Sequence, residues 1–355
     1  MGSLIEKKKK SSSKQSFGII RKDYLLGRFF GRIWQMKHIP VLEKEVLEQF
    51  QYLTDVKDGY FVDCTLGNAG HSLAIAKRGK LRATSYKLIG IDKDQTAIDL
   101  ATTNIKTAGL YEKFILIHDD FNNITEVLSN LQIDDIDGAL IDLGVSSMQL
   151  DDRERGFSFM DRDAELDMRM DKEQELDAKE IINHYSEERL EKILREYGED
   201  KFAKRIAKNI CINRKIRLIQ TVGDLLWSLE RSIPIKIQKT SKSHFATNTF
   251  RALRIEVNNE LSDLSETLKT IVTYLKPGAR LAVITFHSTE DRIVKNTFRE
   301  LSTDCVCPAK APICTCNHSA EVTSVTKKPI IPTDEEIFEN PRSRSAKLRV
   351  VEKNE

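Results

Sequence analysis

Residues 60–94 read YFVDCTLGNAGHSLAIAKRGKLRATSYKLIGIDKD. An apolar strand, Tyr60 to Val62, runs into Asp63 and a small-residue loop, TLGNAG; a helix follows from His71, then a second strand, LIGI, ending at Asp92. This order builds a cradle for a nucleotide-like ligand. Backbone N–H groups and a helix N-terminus approach the ligand closely, and the acid at the tip of the next strand accepts hydrogen bonds from ribose hydroxyls. A dinucleotide loop needs the three glycines of GxGxxG to seat a pyrophosphate, whereas only Gly67 and Gly70 stand here, with Asp63 before them. S-adenosylmethionine suits this loop better, because it has no phosphate and its sulfonium and amino-acid tail favour nearby carboxylates and carbonyls. On these residues alone, another Rossmann-like protein and a plain turn in an α/β sheet remain open.

Outward from the cradle the pattern alternates. A helix over Val41–Phe50 precedes it; after it come a helix Gln95–Ala108, a strand Phe114–His118, a helix Ile124–Leu131 and a strand Gly138–Leu143. Strands and helices joined by short links predict a parallel, doubly wound α/β sheet. The ligand crevice of such a sheet lies at the strand carboxyl ends, where Asp63, Asp92, Phe121 and Asp142 all fall. After Met148 the strand signal stops, and helices are predicted at Ala178–Tyr185, Glu187–Tyr197, Lys201–Arg214 and Val222–Ser232 from apolar residues at three-to-four spacing. The α/β pattern then resumes with one helix, Asn258–Leu275, a KPGAR turn, a strand Leu281–Phe286, a helix from Asp291 to about Leu301 and a strand Lys347–Glu352. The expected organisation is a basic N-terminal extension (1–37), a sheet domain built from 38–148 and 247–355, and an inserted all-helical domain (149–246).

The formal charge of +2 hides an asymmetry. Residues 1–37 carry ten Lys/Arg and two Asp/Glu, leaving 46 basic against 52 acidic residues in the rest. The acidic body repels a polyanion at long range, so any nucleic-acid contact must come from local basic patches. The extension itself, with Lys7–Lys10, a serine run and then Arg21, Lys22, Arg28 and Arg32 among apolar residues, fits an organelle-targeting peptide, an RNA-touching arm or a start codon placed ahead of the true one at Met36. No run of 18 apolar residues and no secretory pattern is present, so the expectation is a cytoplasmic chain with no membrane partner. Its oligomeric state is left open, with a dimer among the possibilities.

Seven separated blocks carry a closer resemblance: HIPVLEKEV at His38, DCTLGNAGHS at Asp63, GALIDLGVSSMQLDDRERGFSFMDRDAELDMRMD over 138–171, YGEDKFAKRIAKNI at Tyr197, FRALRIEVNNEL at Phe250, FHSTEDRIVK at Phe286 and NPRSRSAKLRV at Asn340. Together they resemble the 16S ribosomal RNA cytosine-N4 methyltransferases across nearly the whole ordered chain. Departures are Asn68 and Ala69, where the family's loop is usually glycine, Arg251 in place of Gln and Thr289 in place of Leu. The resemblance implies a class I, Rossmann-like methyltransferase that uses S-adenosyl-L-methionine and acts on 16S rRNA of the small ribosomal subunit, in the decoding region. It also implies a cofactor site made by Ala69, Gly70, His71, Asp92, Phe121, Asp142 and Gln149. An amino-methyltransferase for DNA or another RNA, and a non-enzymatic ribosome-assembly factor on the same scaffold, are the rival readings.

Chemistry narrows the catalytic candidates. Cytosine's exocyclic nitrogen spreads its lone pair into the ring, so an acceptor on its N–H must turn that lone pair toward the methyl donor. Asp142, in DLGVSS, is the first candidate; His287 and Glu290 are the second-rank candidates, with a plain Glu290–Arg292 ion pair as the alternative for Glu290. Phosphate contacts are expected from Lys201, Lys204, Arg205 and Lys208, continuing to Arg214, Lys215 and Arg217; from Lys236, Lys239, Lys242 and His244; and from Arg342, Arg344, Lys347 and Arg349. RGFSF, with Asp151, Asp152 and Arg153, is expected to shape a pocket lid, with Phe157 and Phe159 stacking or packing. Cys305, Cys307, Cys314 and Cys316 form CxC(x6)CxC, a thiolate set that suits zinc, although an extended CxC points its two side chains to opposite faces.

Overall fold

The computed structural model describes residues 39–78, 85–241, 243–305, 307, 313, 315–316 and 318–355. The extension over 1–37, Lys242 and Cys314 lie outside them. Five apolar runs form parallel strands, β1 (Tyr60–Asp63), β2 (Lys87–Asp92), β3 (Phe114–His118), β4 (Ile136–Asp142) and β5 (Leu275–Thr285). Two more, β6 (Val322–Ser324) and β7 (Lys347–Lys353), complete a sheet of order β3-β2-β1-β4-β5-β7-β6, in which β7 runs antiparallel to both neighbours. The short edge strand β6 has no counterpart in the sequence expectations, since three residues carry too little alternation to register.

The central strands β1, β2 and β4 and the second half of β5 are largely apolar because both faces are covered. Phe61, Leu88, Leu140, Ala282 and Ile284 enter one cluster, with α1 (Glu43–Gln49), α2 (Gly70–Ala76) and α3 (Gln95–Thr107) packed there through Val46, Ile75, Ile98, Ala101 and Ile105. Their neighbours Val62, Ile89, Ala139, Ile141, Leu281 and Val283 enter the other, with α4 (Ile124–Asn130). Each fully buried Leu, Ile or Val contributes about 1.5–3 kcal/mol, so these two layers dominate the fold's stability.

After α5 (Ser147–Asp151) the chain enters the helical insertion: α6 (Ala178–His184), α7 (Glu187–Glu196), α8 (Ala203–Ile216), α9 (Val222–Ser232), α10 (Ile235–Thr240) and α11 (Thr247–Asn258). All of these but α10 contribute to a third apolar cluster. Two expectations need correction here. The helix expected over Asn258–Leu275 begins only at Leu264 (α12, Leu264–Tyr274), and α11, absent from the expectations, ends at Asn258 because Asn259 takes the left-handed conformation (φ 50°) and breaks the helical path between them. Apolar spacing continues across the break through Leu261, Leu264 and Leu268, which conceals it in the sequence. The KPGAR turn is instead part of β5: pairing with β4 jumps from Ile136–Leu275 to Gly138–Arg280, so Pro277 and Gly278 (φ 79°) bulge from a continuous strand. Helices α13 (Ser288–Leu301) and α14 (Asp334–Glu339) follow. Helix α11 sends Phe250, Leu253 and Val257 into the bundle and Ile255 into the sheet cluster. The expected boundary after residue 246 therefore falls at the start of a helix shared by two cores, and Pro40–Glu355 pack as one compact unit.

A buried ion pair joins the insertion to the sheet rim. Asp94, 1% exposed, caps α3 by accepting the Thr96 N–H at 3.0 Å. Its other oxygen accepts from Arg155 Nη1 at 2.5 Å and Gln149 Nε2 at 2.9 Å. Arg155, 6% exposed, also donates to the carbonyls of Arg169 (2.6 Å) and Met170 (2.8 Å). Asn258 holds the same strap by donating to Met168 O at 2.8 Å and accepting Met170 N–H at 2.7 Å. Thus the irregular segment 152–177, with Phe157, Leu166, Met168 and Met170 buried, is fixed to the rim by polar groups with few alternatives. Arg155→Met should strand the Asp94 charge and cost about 3–5 kcal/mol in urea unfolding, whereas adding Asp94→Asn should recover part of that loss; a single variant as stable as the parent would refute the clamp.

Candidate active site

Strand order reverses between β1 and β4, so the connections leaving these two strands diverge and open a crevice at their carboxyl ends. The loop after β1 forms its floor. Leu66 N–H donates to Ile91 O at 2.9 Å, Gly67 turns with φ 53°, and Ala69, fully buried, sits left-handed at φ 65° as the residue before α2. A left-handed alanine is strained by about 1–2 kcal/mol relative to the right-handed form. Asn68 helps hold it, since its side-chain oxygen accepts the Gly70 N–H at 3.2 Å and its carbonyl accepts from Asn104 at 3.0 Å. Gly70 cannot carry a side chain, because a Cβ there would lie 2.6 Å from Pro40 Cγ.

Carboxylates ring the crevice. Asp63, 2% exposed, accepts from Ser72 Oγ at 2.6 Å, and burial pushes its pKa up despite that bond. Asp92, at the β2 tip, accepts the Gly67 N–H at 2.8 Å and the Asp94 N–H at 2.9 Å. Burial pushes its pKa up to about 6, outweighing both bonds. Each oxygen keeps a lone pair that a ribose hydroxyl can use. Asp142, at the β4 tip, donates its N–H to Thr65 Oγ1 at 2.6 Å, which locks the two strand ends bordering the crevice.

His71 and Asp142 face each other with Nε2 and Oδ2 3.6 Å apart, beyond hydrogen-bond length. Both His71 nitrogens and Asp142 Oδ1 are buried without a protein hydrogen-bond partner. Burial lowers the His71 pKa, but the Asp142 and Asp63 carboxylates outweigh it and the net direction is upward. Unsatisfied buried polar groups cost about 1–3 kcal/mol each, so a cluster of them at a crevice marks a place built for a polar ligand.

The other expected residues take distinct places. Phe121 is 8% exposed, in the turn after β3, and belongs to the sheet's own apolar cluster. Gln149 is 4% exposed; its oxygen accepts the Ser146 N–H at 2.9 Å in a capping box, and its amide binds Asp94. His287 caps α13, with Nδ1 accepting the Glu290 N–H at 3.3 Å and Nε2 2.8 Å from Glu290 Oε1. Burial raises the Glu290 pKa, but His287, Arg254 and the Phe286 N–H bring the net below the usual carboxylate range. The expected Glu290–Arg292 pair is not formed: Arg292 bonds Glu199, which also receives Ser288 Oγ. Arg251 donates to the carbonyls of Tyr197 (3.3 Å) and Gly198 (2.5 Å).

Of the lid tract, Phe157 is buried in the bundle under the Arg155 guanidinium, 5.4 Å from its ring, and Phe159 stacks on His244 with centroids 4.2 Å apart. Lys201, Lys204, Arg205 and Lys208 are exposed on or beside α8. The C-terminal patch is mostly paired, with Arg342 on Asp151 and both Lys347 and Arg349 on Asp291. Cys305, Cys307 and Cys316 gather with sulfurs within 4.8 Å of one another. Thr65, Asp94 and Arg155 are site-building residues that the sequence expectations missed; the only local hint was the cap spacing of Asp94 before Thr96.

The MraW methylase family matches residues 35–354. The chain belongs to that family. It is 45% identical over 320 residues to ribosomal RNA small subunit methyltransferase H of Finegoldia magna, covering 90% of this chain and 99% of that protein. The enzymes of the same name from Clostridium botulinum strain 657 and Clostridioides difficile strain 630 are 47% and 46% identical over 319 residues, again with 90% and 99% coverage. A methylase of this family needs a methyl donor, and the crevice fits S-adenosyl-L-methionine. Asp92 could take the ribose hydroxyls, the 67–70 loop brings backbone close, and the unsatisfied His71 nitrogens could meet the amino-acid portion. Because a hydroxyl donates better to a carboxylate than to its acid, affinity for S-adenosylmethionine should weaken as pH falls through about 6 and Asp92 takes up a proton. Calorimetry from pH 5 to 8 tests this, and Asp92→Asn should remove the step; a wild-type profile flat through that range would detach Asp92 from the ligand.

Proposed function

We propose that this chain transfers a methyl group from S-adenosyl-L-methionine to N4 of a cytidine in 16S ribosomal RNA, within the decoding region of the small subunit. The observation that carries the reading is the set of unsatisfied buried atoms on His71 and Asp142 at the strand-order reversal, in a chain of this family. Ala69, Gly70, His71, Asp92, Phe121, Asp142 and Gln149 would hold the donor, with Gln149 acting through Asp94. The bound donor supplies an electrophilic methyl on a sulfonium.

What the protein supplies is position and a hydrogen-bond acceptor. Fixing an amine in line with the methyl supplies up to about 7–11 kcal/mol by removing the entropy of encounter. Asp142 Oδ1 has no bond within the protein, so it can accept one amine N–H, turn the nitrogen lone pair toward the methyl and offset the developing positive charge. His71, cationic more readily than an ordinary histidine, would face Asp142 and hold it in position. His287, engaged with Glu290, would shape the β5 tip rather than shuttle a proton. The cytidine must leave its stack to reach the crevice, at a cost of roughly a few kcal/mol, and the exposed cations on α8 would offset it through phosphate contacts.

With labelled S-adenosylmethionine and small ribosomal subunits, label should appear in N4-methylcytidine after nucleoside digestion, and Asp92→Ala should abolish it. Asp142→Asn should lower kcat by about 10²- to 10⁴-fold while changing donor affinity less. Label in any other nucleoside would overturn the assigned base, and an unchanged kcat would remove Asp142 from the chemistry.

A further inference from the structure

The loop joining α13 to β6 carries the cysteine cluster, and topology places it away from the crevice. Helix α13 starts just past the carboxyl end of β5 and ends at Leu301; β6 then begins at Val322, paired with Lys353 at the last turn of β7. Since Glu352 pairs with Arg280 and Lys347 with Thr285, Lys353 lies at the end of the sheet opposite the rim. The loop is pinched at its base there, with Glu321 N–H donating to Leu301 O at 2.8 Å, Asn354 Nδ2 donating to Ala320 O at 2.8 Å and Ala320 N–H donating to Asp304 at 3.3 Å.

Within this loop the sulfurs of Cys305, Cys307 and Cys316 all lie within 4.8 Å of one another, and Cys305 and Cys316 are 3.8 Å apart. The objection from extended CxC geometry does not hold here, because Cys305 and Cys307 converge and the chain bends at Cys307. Two sulfurs in a disulfide would be about 2.05 Å apart. Four sulfurs at the zinc–thiolate length of about 2.3 Å, arranged tetrahedrally, are about 3.8 Å apart along each edge. The Cys305–Cys316 spacing matches that edge. Sequence offers Cys314 as a further thiolate.

We infer that Cys305, Cys307 and Cys316 bind a thiophilic divalent cation, zinc by ligand type and geometry, as a structural site at the sheet end remote from the crevice. Binding converts thiols to thiolates with release of their protons, and no redox change is involved. The cation cross-links Cys305 and Cys307 to Cys316 across the loop and fastens it beside the C-terminal strand. Zinc suits this role because it has no redox chemistry and its closed tetrahedral sites are structural.

The full chain, purified with reductant and without chelator, should hold about one zinc per molecule by mass spectrometry. Cys305→Ser and Cys316→Ser should each lose it, while Cys211→Ser, altered in the helical bundle, should retain it. Cobalt titration of the stripped protein should give thiolate-to-metal charge-transfer absorption. Stripping should lower Tm by several degrees yet leave the far-ultraviolet dichroism and the kcat for methyl transfer unchanged. A chain that is zinc-free as purified and develops no cobalt–thiolate band would overturn the site, as would zinc retained by both loop variants. Loss of kcat on stripping, with dichroism intact, would overturn its structural assignment.

Discussion

The geometry of the crevice depends on one buried ion pair. Asp94 is two residues past the β2 tip, and its carboxylate is shared by the α3 cap, Gln149 and Arg155. Removing water from both ions is costly, and hydrogen bonds from the remaining donors help to offset that cost. Here Arg155 spends its second nitrogen on two carbonyls of the segment that leads into the bundle. One charge thus ties the cofactor-side strand, the capping box after β4 and the entry to the insertion into a single arrangement, so the insertion cannot shift without exposing or stranding a charge.

The crevice is built on comparable sharing. Asp92 both ends β2 and holds the Gly67 N–H, so the ribose acceptor and the glycine loop cannot move separately. Thr65 bonds the Asp142 N–H and donates its own N–H to Asp63, which fixes the β1 and β4 tips relative to each other. The atoms left over, on His71 and Asp142, have no role in this scaffold. That contrast between hydrogen-bonded supports and facing groups without a protein partner is what separates a binding site from an ordinary strand-end turn.

Much of this was legible in the residues. The strands announced themselves because a sheet covered on both faces needs uninterrupted apolar runs, and Asp63, Asp92 and Asp142 were recognisable as strand-end acids. The true start of α12 at Leu264 was hidden by apolar spacing that extends back through Leu261, and the bulge at Pro277 and Gly278 looked like a turn because Pro-Gly chemistry serves both. Arg155 was hidden for a different reason. Its partner is 61 residues away in sequence, and no local pattern reports a contact of that range. His287 and Glu290 were visible as a candidate pair, but their occupation as a helix cap depends on backbone direction at the end of β5.

Strands β4 and β5 are neighbours at the centre of the sheet, yet one ends at Asp142 and the other begins only at Leu275. During synthesis β4 therefore emerges long before its partner, with an unpaired apolar edge of the kind that invites pairing with other chains. Contacts of such long sequence separation also slow folding. The insertion between β4 and β5 thus imposes a period of vulnerability on the nascent polypeptide, in which the β5-facing edge of β4 has no partner yet synthesised.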